Sequence, residues 1–189
     1  MTFQLKRIKL YNEIDIYYLS MHLPVWIHGT IVDVETRGLY PEAANMTAAG
    51  FIKGNKLSAF VLSRESEADH AVAFKKWAEN KLSRSPRPYI AYYKEFEERW
   101  LNTSIDIEIQ PGNNIKKEFA IHLDHITNSS NAEMMAAKEP AIMHHLVLDL
   151  LEELALYCSL SHHHRDRSFN HSGVFREMDH LCAKEDLQK

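Results

Sequence analysis

The stretch Ile31-Val32-Asp33-Val34-Glu35-Thr36-Arg37-Gly38-Leu39 sets two acids one residue apart on an apolar run. Side chains of an extended strand alternate faces, so Asp33 and Glu35 point the same way, with Ile31 before them and Thr36 to Leu39 after. Two carboxylates at that spacing repel each other unless a cation lies between them. A strand end carrying such a pair is suited to a hard divalent metal.

Working outward, Val25 to Val34 reads as a strand and Gly38 with Pro41 marks the loop after it. Residues 1–24, which end at Pro24, read as an extended piece or a short helix. Met46 to Ile52 and Lys56 to Leu62 are apolar runs, and Lys53-Gly54-Asn55 between them predicts a hairpin. Glu65 to Leu82 has helical spacing with Ser63 or Ser66 as cap, and Ser83 to Pro88 breaks it. Tyr89 to Tyr93 reads as a strand, Glu95 to Leu101 as a short helix and Ile105 to Ile109 as another strand, stopped at Pro111. Glu118 to Ile126 is a short helix candidate, followed by a polar loop. Ala141 to Leu160 is the clearest helix, with Ile142, Leu146, Leu150, Leu154 and Tyr157 along one stripe. The order of elements describes one mixed α/β layer fold.

Bulk properties narrow the function. A chain of 189 residues fits one domain, expected to have its core over residues 25–160 and a polar, His-rich C-terminal extension. The net charge of −4 argues against coating duplex nucleic acid by bulk electrostatics, though not against gripping it at a metal-filled pocket. No apolar run approaches the ~20 residues that cross a bilayer, so no membrane partner is expected. Met1 to Arg7 does not read as a secretory signal, and Cys158 and Cys182 suggest no disulfide framework. A cytoplasmic setting is the expectation.

Two further places carry chemistry. Glu97 falls in the first turn of its helix, where the positive end of the dipole favours a carboxylate. Asp149 interrupts the apolar run Leu146 to Leu151, where a charge needs a partner or a metal. His144 lies five residues before Asp149, and His145, four before it, shares its helix face more directly.

Together these motifs resemble those of the DEDD-type 3′→5′ exonucleases of the ribonuclease H-like superfamily. Val32-Asp33-Val34-Glu35-Thr36 is similar to their first motif. Tyr92 to Leu101 is similar to the second, with Phe96 in the Phe position and Glu97 where Asp is usual. His144 to Asp149 fits the third motif of the histidine branch. The chain departs from the pattern at Arg37, where a second Thr is common, and at Tyr92 and Tyr93, which replace Asn.

The resemblance implies a mixed five-stranded sheet with the acids at its centre and helices on both faces. It implies two Mg²⁺ or Mn²⁺ ions held by Asp33, Glu35, Glu97 and Asp149, with His144, or else His145, taking a proton from the attacking water. The partner would be the 3′ end of single-stranded DNA or RNA, with Leu39, as an apolar wedge at the terminal base, and Phe96 as the nucleic-acid-binding residues. A catalytically weak relative that binds nucleic-acid ends or a protein is the alternative reading. A metal site on His162 to His164, His171 and His180 ranks last, because three consecutive histidines cannot all face one ion on regular structure.

Overall fold

The computed structural model describes residues 6–42, 44–109 and 138–162, with side chains of the last segment described as far as Cys158. Its elements are β1 (Lys6–Leu10), β2 (Ile14–Thr36), β3 (Met46–Leu62), α1 (Arg64–Ser83), β4 (Tyr89–Ala91), α2 (Lys94–Leu101), β5 (Ile107–Glu108) and α3 (Glu139–His162). The helix candidate at Glu118, the polar loop after it and the histidines beyond His162 lie outside the described residues.

Strand β2 is the hub. It pairs antiparallel with β1 and with β3, and parallel with β4 through Thr30↔Tyr89 and Ile31↔Ile90, while β4 pairs parallel with β5. The result is a mixed five-stranded α/β sheet with α1 against one face and α3 against the other. Alternation along β2 is kept almost throughout. Leu19, Met21, Leu23, Val25, Ile27 and Ile31 join the core under α3, whereas Ile14, Ile16, Val32 and Val34 join the core under α1. Odd-numbered residues therefore face α3, and this parity delivers Asp33 and Glu35 to that face.

The hairpin expected at Lys53-Gly54-Asn55 does not form. The two apolar runs are one continuous strand, β3, because β2 runs beside both of them. Gly54 is a kink, with φ of 59°, opposite the register shift between His22 and Ile27, and the Trp26 ring lies over it. Residues 14–24, open to either reading in the sequence, are extended as part of β2.

Helix α3 is wider in its apolar character than the predicted stripe. Every residue from Leu146 to Leu156 is buried, the pattern of a helix enclosed on all sides. It lies close over β3 because Gly50 has no side chain: a Cβ there would sit 2.3 Å from Leu150 Cδ1. Gly50 is the register partner of Asp33, so the close approach falls beside the acids. Among the described residues no helix is long and apolar enough to cross a membrane.

Gly29 fixes where β4 meets β2. Its φ is 100°, and a Cβ would lie 2.3 Å from the Pro88 carbonyl oxygen, while the next residue donates from Thr30 N to that same oxygen at 2.9 Å. Gly29→Ala is expected to lower stability by more than ~1 kcal/mol, since it combines an unfavourable φ with a backbone clash. Urea unfolding checks this through a lower midpoint; an unchanged midpoint would contradict it.

Candidate active site

Three elements bring the acids together. β2 presents Asp33 and Glu35 from its C-terminal end. Directly after β4, α2 starts at Lys94 with Tyr93 extended before it, which sets Glu97 in the first turn. α3 contributes His145 and Asp149, four residues apart and so on one face.

Two groupings result. In the first, His145 Nε2 lies 3.4 Å from Glu35 Oε1 and 3.2 Å from Asp149 Oδ2. One ligand atom from each of Glu35, His145 and Asp149 falls within 4.8 Å of the others. In the second, Glu97 is buried and shares a side-chain hydrogen bond with Asp33. The extra methylene of Glu97 relative to Asp therefore does not keep it from the strand acids. Asp33 joins the groupings, since its charge also raises Glu35 and Asp149.

The electrostatics are those of a site short of positive charge. Burial pushes the Asp33 carboxyl up to about 6. Burial first and the neighbouring Asp33 second hold Glu35 and Glu97 well above the ordinary carboxyl range, and burial followed by Glu35 does the same to Asp149. Buried oxygens Asp33 Oδ2, Glu97 Oε2 and Asp149 Oδ1 have no hydrogen-bond partner among the described residues. Orphaned carboxylate oxygens that converge from separate elements fit a hard divalent cation, which prefers oxygen ligands.

Sequence reasoning passed over two acids here. Glu152 and Glu153 are both buried on α3. Burial raises Glu152 to about 8, and burial together with the charge of Asp33 raises Glu153. Their signal was available, because a charge inside so apolar a helix raises the same question as Asp149. His145 is in contact with Glu35 and Asp149.

The two residues expected to meet a nucleic-acid end differ in setting. Leu39 is exposed on the loop after β2, where its carbonyl accepts from Arg99 Nη1 of α2 at 3.3 Å. Phe96 is partly buried and packs on the core beneath α1, its ring 6.3 Å from that of Trp100. Arg37 fixes the base of the loop through a two-pronged pair with Glu67 of α1, at 3.0 Å from Nε and 2.9 Å from Nη2.

A family model described as the RNase H superfamily matches residues 30–146, more than half of the chain. The matched span runs from the end of β2 into α3. It contains Asp33, Glu35, Glu97 and both histidines, and stops three residues short of Asp149. Neither the curated proteins nor the solved structures return a match to the chain.

Burial of these carboxyls gives stability a defined dependence on pH. A carboxyl whose folded-state pKa exceeds its unfolded value favours the folded state fully below about pH 4. That contribution is lost as pH rises through the folded-state value, which is about 6 for Asp33 and about 8 for Glu152. With EDTA present, the melting temperature is expected to fall between about pH 5 and pH 8. Mn²⁺ should raise it more at the upper end than at the lower. A metal-independent melting temperature, flat across that range, would contradict the assignment.

Proposed function

The chain belongs to the RNase H superfamily, and from that membership we propose a metal-dependent 3′→5′ exonuclease of the DEDD type. It would hydrolyse phosphodiester bonds at the 3′ end of single-stranded DNA or RNA. The observation that carries this reading is the meeting of Asp33, Glu35, Glu97 and Asp149, which come from three elements far apart in sequence.

Two Mg²⁺ or Mn²⁺ ions bound there would stabilise both the entering and the leaving oxygen of an in-line displacement at phosphorus. Asp33, at the junction of the two groupings, would be the shared ligand. Glu35 and Asp149 would hold the ion on one side and Glu97 the ion on the other. His145, which contacts both Glu35 and Asp149, is positioned to accept a proton from a water attacking at that side. Motif spacing gives that task to its neighbour His144, and the two substitutions separate the assignments. Leu39, exposed on the loop that α2 braces, would press on the terminal base. Phe96 would act from its packed position at the start of α2.

The test is an assay of 5′-labelled DNA and RNA oligonucleotides with Mn²⁺ or Mg²⁺. A ladder of products shortened from the 3′ end is expected. Asp33→Ala should reduce it by more than ~100-fold, beyond the usual effect of losing an outer-shell partner. His145→Ala should cost ~10²–10⁴-fold, with His144→Ala much milder. Binding of the oligonucleotides without any Asp33-dependent ladder would instead favour the end-binding relative.

A further inference from the structure

We propose that Glu153 is a third protein ligand of the cation on the Glu97 side, so that Asp33, Glu97 and Glu153 form one site and Asp33, Glu35 and Asp149 the other. The proposal rests on the two-cation reading above and adds a carboxylate from outside its four motif acids.

Glu153 lies one helical turn beyond Asp149, as Asp149 lies one turn beyond His145, so all three share a face of α3. Its side chain is 2 % exposed. Oε1 accepts a hydrogen bond from the Tyr92 backbone N–H at 3.3 Å, which fixes the carboxyl beside the junction of β4 and α2. Oε2 is buried and has no hydrogen-bond partner among the described residues. A structural tie to Tyr92 needs one acceptor only, and a neutral side chain would supply it without the cost of burying a carboxylate. The second oxygen is what a purely structural role leaves unexplained.

Its surroundings point to the same place. After burial, Asp33 is the largest influence on Glu153, and Glu153 in turn raises Glu97. Glu152 makes the contrast. It is as deeply buried, its Oε2 likewise lacks a hydrogen-bond partner among the described residues, and its charge raises Asp149 and Glu153. But Asp33 does not raise its carboxyl, and it lies off the face that carries His145, Asp149 and Glu153. Helix geometry therefore turns Glu153, and not its neighbour, to the side of α3 that reaches Tyr92 just before α2.

Counting bound Mn²⁺ by electron paramagnetic resonance tests this on the full chain without recourse to activity. Wild type should bind two ions, and Glu152→Gln should match it. Glu153→Gln keeps the acceptor for Tyr92 and loses the charge. It should retain one ion and weaken the other by at least ~10-fold. If Glu153→Gln does not fold, Glu153→Asp, which keeps the charge but withdraws it by one methylene, should show the same selective loss. Two ions held unchanged by the Glu153 variant, or an equal loss in the Glu152 and Glu153 variants, would overturn the proposal and leave the exonuclease reading standing. A wild-type chain that binds no Mn²⁺ would overturn both.

Discussion

Repulsion among buried carboxylates is the constraint on which the rest of this structure turns. Glu35, Glu97, Asp149 and Glu153 all stand within the influence of the Asp33 charge, on a face that α3 closes off from water. Desolvation and like charge act in the same direction here, and each makes ionisation more costly. Part of this is relieved by the side-chain hydrogen bond between Glu97 and Asp33, which holds the Glu97 carboxyl up. A divalent ion bound as proposed would do the same more fully and would satisfy the oxygens left without partners. Acids so placed weaken the metal-free fold, which is the usual relation between a functional site and the stability of its scaffold.

The scaffold converts simple backbone rules into that cluster. A period of two along β2 sends Asp33 and Glu35 to the face of α3 while Val32 and Val34 fill the core under α1. Gly50, paired with Asp33, leaves the space into which Leu150 packs and so lets α3 come close. Parallel pairing of β4 with the end of β2 then starts α2 where its first turn can carry Glu97 to the strand acids. The same β4 edge gives Glu153 its anchor at Tyr92.

Much of this was legible in the residues. Alternation around Asp33, the helical spacing of α1 and the apolar length of α3 are local signals, and local signals survive folding. Gly54 misled because a glycine between two apolar runs marks a turn or a kink equally well, and only the partner strand decides which. The stripe on α3 was drawn too narrow for a related reason: a helix enclosed on all sides has no polar face to define one. The four-residue spacing of His145 and Asp149 was legible, but the contact of His145 with Glu35 and the tie of Glu153 to Tyr92 depend on side-chain reach across elements, which spacing along one helix does not contain.

Anomalous scattering from crystals grown or soaked with Mn²⁺ addresses the central claim most directly. The account predicts two peaks that share Asp33, one against Glu35 and Asp149 and the other against Glu97. Peaks confined to the histidines at the C-terminal end, with the carboxyls around Asp33 still bonded to one another, would contradict it.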